Sequence, residues 1–131
     1  MAPVGLDVRV FDVLLATADP VLRQTRAALI TSFGFHTIAS LSLDDALALI
    51  SACPFDILVV GHTLPADDCY AISTKFRKHN PKGRIVEILR RVGDDCKDHP
   101  DVTVVGLEGP LTLRDALLEQ QRIARQLNTD S

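Results

Sequence analysis

The sequence predicts an α/β domain: a doubly wound, five-stranded parallel sheet with helices on both faces. Three observations predict it. Short apolar runs alternate with segments whose apolar residues recur at helical spacing. One run, Asp56 to Val60 (DILVV), is continuously apolar after its first residue, as a strand buried on both faces must be. Most of the segments between runs are long enough for the helical crossovers that parallel neighbours require.

Each element has its own justification. Phe11 to Ala16 (FDVLLA) is a compact run rich in strand formers. Asp19-Pro20 follows, an N-cap and a first-turn proline. Leu22, Leu29, Ile30 and Phe33 then mark one face of a first helix, and Gly34 is placed to end it in a left-handed conformation. Phe35 to Ala39 reads as the second strand. Ser42 to Asp45 fits a capping box, and Ala46, Leu47, Leu49 and Ile50 give the second helix its buried side before Pro54 stops it. DILVV is the third strand. After the loop HTLPADD, Asp67 or Asp68 is expected to cap a third helix with Ala71, Ile72 and Phe76 on its inner face. Asn80 to Gly83 is a turn. Arg84 to Leu89 and Val102 to Leu107 supply strands four and five. The polar VGDDCKDHP between them allows only a short helix. Thr112 to Asp115 reads as a capping box opening the last helix, with Leu113, Ala116, Leu117, Ala124 and Leu127 inside and a frayed NTDS tail.

Composition bounds the reading. The chain has 131 residues, which suits one domain spanning 1–131 with a core of about 11–127. Apolar residues make up 47% and charged residues 24%, so neither disorder nor a disulfide scaffold is indicated. No apolar run is long enough to span a membrane. The start MAPVGLDVRVFD lacks the apolar core of a secretory signal, so a cytoplasmic location is expected. The net charge of −3, with Trp absent and only one Tyr, does not suit a base-stacking nucleic-acid surface. Cys53, Cys69 and Cys96 show no C-x-x-C spacing and read as free thiols.

The commonest five-stranded arrangement of this kind is the flavodoxin-like order 2-1-3-4-5. Its ligands sit at the carboxyl ends of the strands, near the switch point between strands one and three. That places Thr17, Ala18, Asp19, Gly61, His62, Arg90 and Gly109 around one cleft.

In order along the chain stand VLLATADPVLRQTRAALITSFGF, DDALALI, FDILVVGHTLPADD, RVGDD and GPLTLRDAL. With these segments the sequence resembles a response-regulator receiver, a CheY-like domain, from about Val13 to Gln121. DILVV-x-x-x-LP and the Gly-Pro before the last helix are the most specific parts. The resemblance implies two-component signal transduction, but it fails at the chemistry. Receivers accept a phosphoryl group on an aspartate closing strand three; this chain has Gly61 there, which carries no nucleophile. The acidic pair that holds Mg²⁺ in the family is matched by Thr17 and Ala18, with Asp19 left as a helix cap. The switch Ser or Thr is matched by Arg90, and the phosphate-pairing Lys by Gly109 ahead of Pro110. A register slip of one residue would put His62, not an acid, at the acceptor position. Thr17, Ala18, Asp19, Gly61, Arg90 and Gly109 are therefore read as a vestigial phosphorylation pocket. The fourth crossover is shorter than the family's, which puts its usual switching surface in question.

Other candidates carry less. Arg90 and Arg91 can fill the altered pocket, face solvent or bind an anion. His62, Asp67, Asp68 and Cys69 are metal-capable types at a spacing that matches no zinc pattern. His36, His79 and His99 read as surface or strand-edge residues. Glu87, in the middle of an apolar strand, needs a cation partner or an open face. Lys75, Arg77, Lys78, Lys82, Arg84, Arg90 and Arg91 crowd one stretch, which reads first as a solvated face. No G-x-S-x-G, P-loop or G-x-G-x-x-G is present, so no enzymatic activity is expected.

The expected function is that of a stand-alone, degenerate receiver acting by protein–protein interaction without aspartyl phosphorylation. The resemblance implies a protein partner or a homodimer through the face from the fourth strand to the last helix, the fifth when a short crossover helix is counted. No cofactor, Mg²⁺, membrane or nucleic acid is expected. The alternative is a receiver-derived sensor that binds a small anion in the altered cleft around Gly61, Arg90 and Gly109. Phosphotransfer through an unexpected residue is the third reading.

Overall fold

The computed structural model describes residues 9–61, 63–90, 100–106 and 109–130. In chain order the elements are β1 (Asp12–Ala16), α1 (Pro20–Ser32), β2 (His36–Ala39), α2 (Leu43–Ala52), β3 (Ile57–Val60), α3 (Ala66–His79), β4 (Arg84–Leu89), β5 (Val102–Val105) and α4 (Pro110–Asp130). Every strand pairing is parallel, and the sheet order is β2-β1-β3-β4-β5. This is the expected CheY-like, flavodoxin-like arrangement.

Alternate strand residues feed two cores, because successive side chains leave opposite faces. Val13, Leu15, Val59, Ile88 and Val104 pack with Ile30 of α1 and Leu113 and Leu117 of α4. Leu14, Leu58, Val60 and Ile85 pack with Ala46 and Ile50 of α2 and Ile72 and Phe76 of α3. β3 is buried at all four residues, as its unbroken apolar run requires. Full burial of one such side chain is worth about 1.5–3 kcal/mol, so the central strands anchor the fold.

The helix ends follow local chemistry, with corrections. Asp19 caps α1, its Oδ1 accepting from the N–H groups of Val21 at 2.8 Å and Leu22 at 3.2 Å. Gly34, at φ +100°, follows the α1 C-cap in the left-handed region that a Cβ disfavours. Ser42 Oγ accepts from Asp45 N at 3.0 Å, while the Asp45 carboxylate reaches back to Leu41 N at 2.8 Å. α3, however, begins at Ala66 after a Pro65 N-cap with no side-chain cap. Asp67 and Asp68 therefore lie in its first turn rather than at the cap, where their charge still favours the helix dipole. α4 starts at Pro110, so Thr112 stands inside the helix instead of opening it. Pro at the start of a helix has no N–H to leave unpaired, which explains the earlier start. The helix also continues to Asp130, into the NTDS tail expected to fray. The expectation of a short helix before β5 lies mostly outside the described residues.

Among the described residues, no helix is long and apolar enough to cross a membrane. Cys53 is a free thiol, but Cys69 is disulfide-bonded. The free-thiol expectation for Cys69 came from sequence spacing, which does not register what folding brings together.

Candidate functional site

All strands run the same way, so Thr17, Gly61, Arg90 and Gly106 lie along one edge of the sheet, just past β1, β3, β4 and β5. Gly61 N donates to Ala16 O at 2.8 Å, extending the β1–β3 pairing to the rim. This edge holds the cleft that the sequence predicts.

Thr17 is 4% exposed, and its Oγ1 lies 2.7 Å from Thr63 Oγ1 in the loop after β3. The Thr63 oxygen also accepts from Ala18 N at 3.1 Å and Asp19 N at 3.4 Å. Two acceptances fill its lone pairs, so its own proton is the one available to Thr17. Arg23 adds contacts from Nη2 to Thr17 O and Leu41 O, both at 3.4 Å. Asp19 has its carboxylate turned to the N-terminus of α1, and Ala18 is exposed.

Gly61 is buried, and a side chain there has no room. A Cβ would lie 2.8 Å from Thr17 Oγ1, 2.9 Å from Thr17 Cβ and 3.1 Å from Arg26 Nη1. Arg26 is the resident that sequence reading missed. From α1 its guanidinium reaches the sheet edge, with Nη2 3.4 Å from where a Cβ of Gly106 would be. Burial holds the Arg26 pKa below the usual arginine value, against the opposing pull of Asp19. Its Nη1 is buried without a hydrogen-bond partner among the described residues. The signal was in the sequence: Arg26 follows Leu22 by four and precedes Leu29 and Ile30, so it interrupts the apolar stripe of α1.

Arg90, in contrast, is exposed. Its exposure means that it does not fill the pocket. Arg91 and His62 lie outside the described residues. Gly109 has φ +100° and open space where a Cβ would be. The expected pocket residues thus separate. Thr17, Ala18, Asp19 and Gly61 meet at the β1–β3 end, while Gly109 borders a neighbouring cavity of about 630 Å³ between α1 and α4. Ile88 and Val104 form part of its wall, and Arg26 stands between the two regions.

The other candidates resolve elsewhere. Glu87 is 4% exposed and faces the α3 side, with its Oε2 3.9 Å from Cys69 Sγ. A disulfide sulfur has no proton to donate, so this is a contact rather than a hydrogen bond, and Glu87 has further partners. The expected open face is therefore closed. The basic stretch divides. Arg84 Nε donates to Gln120 Oε1 at 2.7 Å, and Arg77 and Arg84 both approach Asp101, at 3.5 and 3.6 Å. These lie at or beside the amino-terminal ends of β4 and β5, away from the cleft. His36 is exposed on β2, 2.7 Å from Asp12, and His79 is exposed at the end of α3. His99 lies outside the described residues.

No family model and no curated protein matches the chain. Solved structures do. The chain is similar to a response regulator receiver protein from Sinorhizobium medicae, with a TM-score of 0.76 at 18% identity, covering 90% of this chain and 99% of that one. It is also similar to the receiver domain of a Pseudomonas aeruginosa sensor histidine kinase with magnesium coordinated in its active-site cleft (TM-score 0.68, 18% identity, 90% and 97% covered). A third is the response regulator TrrA solved in complex with the histidine kinase ThkA (TM-score 0.72, 14% identity, 85% and 98% covered). At these identities the likeness establishes the fold.

Proposed function

We propose that the protein is a degenerate receiver of two-component-type signalling that acts by protein–protein interaction without aspartyl phosphorylation. One observation carries the reading. The position after β3 is a glycine packed so closely under Thr17 and Arg26 that even a Cβ would sit 2.8 Å from an oxygen. No carboxylate is there to take a phosphoryl group, and the surroundings are closed around its absence.

The Mg²⁺ implied by the fold family does not fit these residues. Magnesium takes oxygen ligands in a near-octahedral shell, one or two of them carboxylates. The β1 end offers the Thr17 hydroxyl, already hydrogen-bonded, and the Ala18 methyl. The Asp19 carboxylate is committed to capping α1, and the Arg26 cation stands close by. No step through a metal follows from this arrangement.

A protein partner is supported by the TrrA–ThkA neighbour, in which a receiver of the same fold is bound to a kinase. β5 is an edge strand, and α4 carries the exposed Leu111 and Leu118. These are consistent with an interface running from the fourth strand to the last helix. Size-exclusion chromatography with light scattering tests it. A dimer, or a monomer that co-elutes stoichiometrically with a partner, is expected. A strict monomer that takes up no partner contradicts this half of the reading.

A further inference from the structure

We infer that the cavity between α1 and α4 is a binding site for a small amphipathic carboxylate, with the anionic head on Arg26 and the apolar body against the sheet. Its walls come from Leu22 and Leu29 of α1, Ile88 of β4, Val104 of β5 and Leu113 of α4. Its volume, about 630 Å³, is in the range of small-molecule pockets. Among the described lining residues the polar side chains are those of Thr25 and Arg26, adjacent on α1. There Arg26 lines the wall, with its Nη2 3.4 Å from where a Cβ of the neighbouring lining residue Gly106 would be, while its Nη1 turns to Gly61. A guanidinium partly withdrawn from water at the wall of an apolar cavity gains from a charge-assisted bond to a carboxylate. The planar fork suits a carboxylate better than a point anion. Gly106 and Gly109 line the cavity with no side chains of their own. The nearby carboxylate of Asp19 is tied to the first N–H groups of α1 and does not occupy the fork. An apolar body with a single anionic head matches both parts of the cavity lining; a bare inorganic anion matches only one.

This site goes beyond the receiver reading and does not depend on it, since neither result bears on whether an aspartyl phosphate forms. The test uses the full chain and three probes: decanoate, decanol and acetate, followed by calorimetry and by ¹⁵N NMR. Decanoate is expected to bind about tenfold or more tighter than decanol, which is about 1.4 kcal/mol, and acetate more weakly still. The amides of Thr25, Gly106 and Gly109 should shift. Arg26→Met should bring decanoate down to the level of decanol, and Ala28→Trp, at an exposed lining position, should weaken both. Unaltered melting and dispersed spectra check that each variant is folded. Equal binding of decanoate and decanol overturns the proposal. So does unchanged binding by Arg26→Met, shifts confined to other residues, or no binding of any probe.

Discussion

The hydroxyls of Thr17 and Thr63 lie 2.7 Å apart and tie the end of β1 to the loop after β3. Thr63 also satisfies the backbone N–H groups of Ala18 and Asp19 at the turn into α1. A bridge between neutral hydroxyls closes the rim.

Thr63→Val removes this bridge while keeping the shape. It strands two N–H donors and the Thr17 hydroxyl, so a loss of about 1–3 kcal/mol is expected. Urea midpoints at constant slope measure it. Thr63→Ser should retain most of the stability; equal losses in both variants would show that the methyl, not the hydroxyl, matters.

Gly61→Ala is expected to destabilise by about 1–3 kcal/mol, through overpacking. The new Cβ meets the side chain of Thr17 at 2.8 and 2.9 Å. Thr17→Ala removes one of those two atoms and should recover part of the loss, which a double-mutant cycle would reveal as coupling. Gly61→Ala with unchanged stability would mean that the rim is loose.

Asp19→Ala should cost about 1 kcal/mol, the usual worth of an N-cap, and Asp19→Asn much less. Neither change should depend on Mg²⁺. A melting-temperature difference that appears only with Mg²⁺ would make Asp19 a ligand rather than a cap.

The α4 surface pair gives a pH prediction. Hydrogen bonding to Arg122, 2.6 Å away, holds the Glu119 carboxyl below its ordinary value of 4.5. A depressed folded pKa means stability that is present above the unfolded value and lost as the pH falls through the folded one. The pair is exposed, so the effect is small. Glu119→Gln should differ slightly from the parent at neutral pH and coincide with it once the pH is well under 4.5. A gap that widens on acidification contradicts the assignment.

The sheet order, the two cores and the α1 cap were legible because each rests on local pattern: apolar runs, Asp-Pro, Gly34. The α3 and α4 starts were not, since Asp67 and Thr112 look like caps while proline geometry set the true boundaries at Ala66 and Pro110. In the site, the loss of acceptor chemistry at Gly61 was readable from residue identity alone. What fills the space was not. Arg90 is next to the cleft in sequence but exposed, whereas Arg26 reaches it from a helix whose stripe looked like plain core. Side-chain reach across elements leaves only a faint trace in spacing.

The most direct measurement of the central claim is intact-mass spectrometry after incubation with acetyl phosphate and Mg²⁺. No added mass is expected, while an active receiver treated in parallel gains about 80 Da, one phosphoryl group. A labile adduct of that mass on this chain would contradict the account and place an acceptor on a residue other than Gly61.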